Sequence, residues 1–415
     1  MRRLFTILMA LALLAAACSD DSSDTTTASQ PSTTAAATTA TPQATTAGPT
    51  VAPTGAPPSG EPIKIGAILG ISGRFAFVGA PQQNALLLAQ DEMNAAGGIA
   101  GRPVEFVIYD DEVDETKTVP LTNRLIGEDG VVAIIGPSIT IPALAMAPIV
   151  EGTPIPNITL TSRPIWEQDG LEYVFQTTPR EEVEVLSLLS FISNDLGTTE
   201  IGVLYDAQPY GTGNLAHIEN LAPGLGLNIV ATESIENGDT NAVPQLERLR
   251  DAGVETLIVW VGDPAASSTA KGADQIGWDV NMIGSSAIAG PTFPELAEAA
   301  GEGVYSDGAY NFDDPPPNQA PFLADYQAKF DSFPTQFAAF AYDAAYAFKY
   351  AIEHAGGDTS PDAIRQGLLD MPAFQGVTAL YDFTDEDHNG FGLNPLFYIV
   401  QVQDGAYRVV TKTGS

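Results

Sequence analysis

The sequence has one cysteine, three histidines, and only 17 Lys plus Arg against 52 Asp plus Glu. Each shortage excludes something. With Cys18 standing alone near the start, no intramolecular disulfide, cysteine-based metal site or catalytic thiol can exist in the body of the chain. His217, His354 and His388 stand at no metal-ligand spacing, which leaves zinc sites and histidine triads unsupported. There is no Gly-x-Ser-x-Gly elbow and no phosphate loop ending in Lys-Ser or Lys-Thr. A formal charge of −35 repels polyanions, so nucleic acid and anionic membrane surfaces are poor partners. No cofactor, no metal and no catalytic residue is expected.

What is present supports packed cores: 44% of the residues are hydrophobic and only 17% charged, a globular balance. At the N-terminus, Arg2 and Arg3 precede an apolar run over residues 4–17, and Ala15, Ala16 and Ala17 lead into Cys18. That run is too short to cross a bilayer, which takes roughly 20 helical residues. It resembles a bacterial lipoprotein signal ending in the lipobox LAAAC. Residues 1–17 are read as the signal peptide and Cys18 as the lipidation site, which places the mature protein outside the cytoplasmic membrane and anchored to it. Residues 19–60 contain 12 Thr and 9 Ala, and their only branched aliphatic residue is Val51. They cannot bury enough apolar surface to offset the entropy of ordering, so residues 18–60 are expected to form a disordered tether. Its mean reach is on the order of 35 Å.

From residue 61 the texture changes. Apolar runs at 63–69, 104–109, 131–135 and 155–158 predict strands, separated by helical spacing over 81–94, 116–128 and 141–150, with residues 70–79 read as a loop. A second series follows, with helices predicted at 180–194, 212–221, 242–251 and 265–276. Its strands are predicted at 201–205, 227–231, 256–261, 282–283 and 304–306. Regular alternation of this kind implies parallel sheets with right-handed crossovers, in two similar α/β lobes. After Tyr310 come predicted helices at 320–330, 336–353 and 361–369 and β segments at 380–383, 396–403 and 407–411. The Phe and Ala residues from Phe337 to Phe348 recur at core spacing. The chain therefore passes between the lobes more than once, and ligands in such folds bind beyond the carboxyl ends of the strands.

Two motifs are read as local structure. Gly211-Thr212-Gly213-Asn214-Leu215-Ala216 matches a dinucleotide fingerprint, but residues 206–210 separate it from the strand it should follow. Asp385-Glu386-Asp387-His388-Asn389-Gly390 imitates the start of a calcium loop, yet Leu396 stands where the closing acid belongs, which favours a β-hairpin turn. The polar loops after strands say more. Gly136-Pro137-Ser138-Ile139-Thr140 puts a hydroxyl and backbone N–H groups at a helix start, where they either bind an anion or cap the helix. Thr161 and Ser162 follow the next strand of the same lobe. Tyr210 follows a strand of the other lobe, as a lid over the cleft or as a packing residue.

From residue 61 to 415 the chain resembles the substrate-binding proteins of branched-chain-amino-acid-type ABC transporters, of the type I periplasmic-binding fold. The pieces that carry the resemblance are Ile71-Ser72-Gly73 through Gly79, the helix end Asn94-Ala95-Ala96-Gly97-Gly98, Tyr109-Asp110-Asp111, Gly136-Pro137-Ser138, Ser162-Arg163-Pro164, Tyr210-Gly211-Thr212-Gly213 and Tyr342-Asp343-Ala344-Ala345-Tyr346. The resemblance implies that Ser138, Thr161 and Ser162 hold a ligand carboxylate, that Tyr210 closes over it, and that Phe77 and Tyr342 supply apolar contact. It also implies a departure. Amino-acid binders of this kind carry a glutamate where this sequence has Ser286. A buried ammonium without an anionic partner costs several kcal/mol, so either Asp263 substitutes or the ligand lacks an amine. Asp263-Pro264 also reads as a helix cap.

The expected fold is α/β, with two doubly wound parallel-sheet lobes joined by a multi-crossover hinge. Residues 61–178 plus 311–393 form the first lobe and residues 179–310 plus 394–415 the second. The expected function is capture of a small polar ligand, an amino acid, amide or carboxylate, in the interlobe cleft, and its delivery to the permease subunits of an ABC transporter by a monomer held at the membrane by lipid. The alternatives are a ligand sensor of the same fold acting on a membrane receptor, and a secreted hydrolase.

Overall fold

The computed structural model describes residues 57–168, 170–236, 239–392 and 397–413. Cys18, the signal segment and the tether up to residue 56 lie outside them. The end of the expected tether is built into the body: Ser59 N–H donates to Gly101 O at 3.0 Å, because that turn presents a free carbonyl beside it.

The first sheet grows from β1 (Ile63–Leu69), whose Ile63, Ile65, Ala67 and Leu69 enter one core while Ile68 enters the core on the opposite face. A strand buried on both faces is what a near-continuous apolar run provides. Helix α1 (Ala76–Ala95), β2 (Val104–Asp110), α2 (Glu115–Arg124), β3 (Ala133–Ile135), α3 (Thr140–Gly152), β4 (Asn157–Thr159) and β5 (Val174–Gln176) complete a parallel sheet of order β2-β1-β3-β4-β5.

The second sheet repeats that order. After α4 (Glu181–Phe191) come β6 (Glu200–Asp206), α5 (Pro209–Leu221), β7 (Asn228–Ile235), α6 (Val243–Asp251), β8 (Thr256–Trp260), α7 (Asp263–Gln275), β9 (Asn281–Gly284), α8 (Thr292–Ala297) and β10 (Tyr305–Gly308). Their parallel order is β7-β6-β8-β9-β10. The chain then returns to the first lobe as α9 (Ala320–Phe330), α10 (Gln336–His354) and α11 (Pro361–Asp370), followed by the small ribbon β11 (Phe374–Gln375) and β12 (Leu380–Tyr381). Ala338, Ala341, Ala344 and Ala345 of α10 share a core with Ala85, Leu86 and Ala89 of α1, small side chains that let the two helices approach closely. Finally β13 (Phe397–Gln403) and β14 (Ala406–Thr413) add antiparallel strands beside β10. The chain thus passes between the sheets three times.

Several boundaries differ from expectation. α1 begins at Ala76, five residues before Pro81, so Phe77 stands on a helix and not in a loop; Pro81 is tolerated one turn inside. Strand β5 and helix α8 were not expected, being only three and six residues long. The segment 385–390 does make a tight hairpin turn: Thr384 and Asp387 exchange N–H···O bonds of 3.0 and 3.2 Å and Asp382 N–H donates to Gly390 O at 3.0 Å, after which Asn389 bridges Gln176 in parallel beside β5 and the His388 ring stacks on Phe175. Among the described residues no three His, Cys, Asp or Glu are placed to hold a metal ion, and no helix is long and apolar enough to cross a membrane.

Candidate functional site

In a 2-1-3-4-5 sheet the strand order reverses between the first and third strands, which opens a crevice beyond their carboxyl ends. Here two such crevices face each other. Between them lies a cleft of about 1120 Å3, counting its open mouth. The first lobe lines it with the start of α1 (Phe75, Phe77, Val78), the loop after β3 into α3 (Ser138 to Ile141) and the loop after β4 (Leu160, Thr161, Ser162). The second lobe contributes Glu184 of α4, the loop after β6 (Asp206, Gln208, Pro209, Tyr210), Gly262 after β8 and Ser286 after β9. The start of α10 closes one side with Gln336, Phe337 and Phe340.

Close backbone packing shapes both rims. Gly136 has φ +93°, and a Cβ there would lie 2.2 Å from Ile68 O, so glycine is required for the Ser138 loop to fold over the end of β1. A Cβ on Gly211 would lie 2.0 Å from Asp206 O. Gly211 therefore seats the first turn of α5 on β6, while a Cβ on Gly213 would meet nothing closer than Glu181 at 3.5 Å, so the first glycine of the fingerprint-like run has a structural cause.

On the first-lobe wall the hydroxyls are tied together. Ser138 Oγ accepts the Gly70 N–H at 3.2 Å and donates to Gln82 Oε1 at 2.5 Å, while the Oγ1 atoms of Thr140 and Thr161 lie 2.8 Å apart. Neither Ser138 nor Thr140 caps α3. Ile139 precedes the helix and no side chain caps it, so the N–H groups of its first turn remain as donors at the cleft. Thr178 Oγ1 donates to Thr161 O at 2.7 Å and fixes that loop from the first interlobe crossing. Phe77 and Phe337 meet edge to face with centroids 6.3 Å apart and form an apolar wall.

The opposite wall is acidic. Glu184, 2% exposed, accepts the Ser286 N–H at 3.0 Å. Tyr210 donates its hydroxyl to Ser285 Oγ at 3.2 Å, and burial with the nearby charge of Glu184 pushes its phenol well above the ordinary range. Burial raises Asp206, against the Gln208 N–H and the Arg74 charge, which lower it. Glu181 is pushed up to about 7, again by burial, with Arg163 opposing. Gln336 spans the two lobes, donating from Nε2 to Ser286 O at 2.9 Å and accepting the Ala309 N–H at 3.3 Å.

Of the residues the sequence singled out, Phe77, Ser138, Thr161, Ser162, Tyr210 and Ser286 meet in this cleft. Two do not. Tyr342 is half-buried against α1 and α9, donating its hydroxyl to Glu92 and packing on Phe322 at 4.7 Å, because it projects from the face of α10 opposite Phe337 and Phe340. Asp263 is the first residue of α7 and makes no cap; Gly262 precedes the helix. Its Oδ1 has no hydrogen-bond partner, and burial alone pushes its carboxyl up to about 8. It reaches only a side void that shares Phe77, Ser286 and Gln336 with the cleft. Glu184, Gln336 and Phe337 were missed, since none follows a strand. The available signal for Glu184 was an acid on the apolar stripe of Val185, Leu188 and Leu189.

The family model for periplasmic binding proteins matches residues 62–406. The chain belongs to that family. Its members bind solutes and carry out no chemical conversion, and two parallel-sheet lobes facing across a cleft are their type I fold. The leucine-, isoleucine-, valine-, threonine- and alanine-binding protein of Pseudomonas aeruginosa is 26% identical over 309 residues, 74% of this chain and 82% of that protein. A Leu/Ile/Val-binding protein homolog of Brucella abortus is 27% identical, covering 75% of this chain and 81% of the relative. Among solved structures, the branched-chain amino acid transporter substrate-binding protein of Streptococcus pneumoniae, in complex with isoleucine, superposes with a TM-score of 0.78 at 25% identity, over 86% of this chain and 99% of that one. A solute-binding protein of an ABC transporter from R. palustris, in complex with benzoate, shares the fold at 18% identity with a TM-score of 0.76, over 85% and 97% of the two chains.

Proposed function

We propose that this solute-binding protein, lipid-anchored at Cys18 outside the cytoplasmic membrane, captures a small amino acid, amide or carboxylate between lobes 61–178 plus 311–393 and 179–310 plus 394–415. It then presents the closed form to the permease of an ABC transporter. The observation that carries this reading is the meeting of Ser138, Thr161 and Ser162 with Tyr210 and Ser286 in one cleft that Phe77, Phe337 and Phe340 close on one side. The hydroxyl wall and the first turn of α3 suit a carboxylate, and Phe77 and Phe337 suit an apolar side chain.

Ser138 is poised for that role by Gln82. As placed, the hydroxyl spends its proton on Gln82 Oε1 while the buried Gln82 Nε2 has no partner. With the amide turned end for end, Nε2 donates to Ser138 Oγ and the hydroxyl proton is free for a ligand oxygen. Closure follows because a ligand touching both walls has more contacts in the closed state than in the open one.

The test is thermal-shift screening of the full chain, stripped of bound solute by unfolding and refolding, against aliphatic amino acids, amides and amine-free carboxylates. A ligand at a hundredfold excess over its dissociation constant adds about 2.7 kcal/mol of stability. Stabilisation that disappears in both Ser138→Ala and Tyr210→Ala supports the reading; stabilisation unaffected by either substitution, or none from the whole panel, overturns it.

A further inference from the structure

Glu184 brings a carboxylate to the loop where Ser286 stands in place of an acid. It comes from the fourth residue of α4, lines the cleft, and holds the Ser286 N–H at 3.0 Å. Packed against α4, on β10, Asp307 is wholly buried, and neither carboxylate oxygen has a hydrogen-bond partner among the described residues. Arg74 is the single basic side chain among the lining residues, and its charge acts on Asp206. Glu184 and Asp307 therefore have no basic side chain as partner among the described residues.

We propose that Glu184 alone is the subsite for a positively charged amino group of the ligand, so that helix α4 supplies the counter-charge missing at Ser286. This rests on the cleft reading above and extends it to a ligand class: small carboxylates that also carry an ammonium. The first-lobe hydroxyls take the carboxylate, Glu184 takes the ammonium from across the cleft, and the ligand's own dipole links the two lobes. Burial raises both acids, and the charge of Glu184 pushes Asp307 further up. Two such groups so close do not both ionise without a cation, so Asp307, the deeper, keeps its proton while Glu184 faces the ligand.

The experiment is calorimetric titration of the full chain with matched pairs: L-leucine and 4-methylpentanoate, L-alanine and propanoate, L-phenylalanine and 3-phenylpropanoate. The expected result is binding of at least one amino member and a much weaker response to its amine-free partner. Glu184→Gln is expected to weaken the amino member by about 30-fold or more, the range for removing one side of a buried charge pair. Glu184→Asp is expected to keep the preference for the amine. Asp307→Asn, which removes the group behind Glu184, is expected to bind the amino member at least as tightly as wild type. Circular dichroism and melting temperature verify that each variant is folded. Equal affinity for both members of a pair, affinity of folded Glu184→Gln within threefold of wild type, or loss of binding in folded Asp307→Asn overturns the proposal while leaving the cleft reading intact. Silence from every pair overturns this proposal, and the cleft reading falls with it only if the wider panel of amides and carboxylates is silent too.

Discussion

The two walls of the cleft stand on sheets of identical strand order, yet they carry opposite chemistry. The first lobe presents Ser138, Thr140, Thr161 and Ser162, which bond among themselves and to neighbouring backbone and hold no buried acid at the cleft. The second presents Glu184 and Asp206, with Asp307 and Asp263 buried behind them. Strand order decides where loops converge, while the side chains on those loops decide what each wall recognises. One wall recognises mainly through hydroxyls, with Arg74 and Glu115 as its charges. The other carries carboxyl groups that burial leaves reluctant to ionise.

That contrast breaks most visibly under pH. Asp263 titrates near 8 in the folded chain and near 4 when unfolded, so the folded state binds the extra proton between those values. Its contribution to stability is fully present below about pH 4 and is lost as pH rises to about 8, at ~1.4 kcal/mol per unit of pKa difference. The melting temperature of the wild type should therefore fall across that window. In Asp263→Asn much of the fall should vanish, giving the variant the higher melting temperature at pH 8.5; an unchanged profile refutes the assignment.

A second comparison concerns ligand binding. Ser138→Ala should weaken carboxylate ligands with or without an amine by a similar factor, about 10-fold by calorimetry, the usual worth of a hydrogen bond to a charged group. Discrimination between the two classes should stay unchanged. Gln336→Leu should cost about 1–2 kcal/mol in denaturant unfolding, through loss of its two bonds to Ser286 and Ala309. The smallest effect is expected at Tyr342→Phe. Glu92 keeps Tyr346 at 2.9 Å, so stability should drop by about 1 kcal/mol and ligand affinity not at all. A drop in affinity would return Tyr342 to the site.

Alternating apolar runs made both sheets legible, because a parallel strand covered on both faces has no polar phase. β5 escaped notice because a three-residue strand leaves no period to read. The loops that carry the hydroxyls were legible because they follow strands, and Phe77 reaches the cleft from a helix where a loop was expected. Glu184 was hidden by its position within a helix, where only its neighbours' burial distinguishes it from a solvated acid. Tyr342 shows the opposite failure: its motif matches the family pattern, but the face of α10 turned to the cleft is the one bearing Gln336, Phe337 and Phe340.

The return of α9, α10 and α11 to the first lobe sets an order of assembly. Tyr342 meets Glu92 across 250 residues of sequence, and the alanines of α10 fill a core begun by β1. As the chain emerges from the N-terminus, one face of the first sheet can close early, on residues 68–174, while the other is finished late. The β6 to β10 sheet, by contrast, comes from one continuous stretch and needs only its last two edge strands. Contacts this distant are slow to form, so until α10 emerges the polypeptide keeps the α1-facing side of its first sheet open.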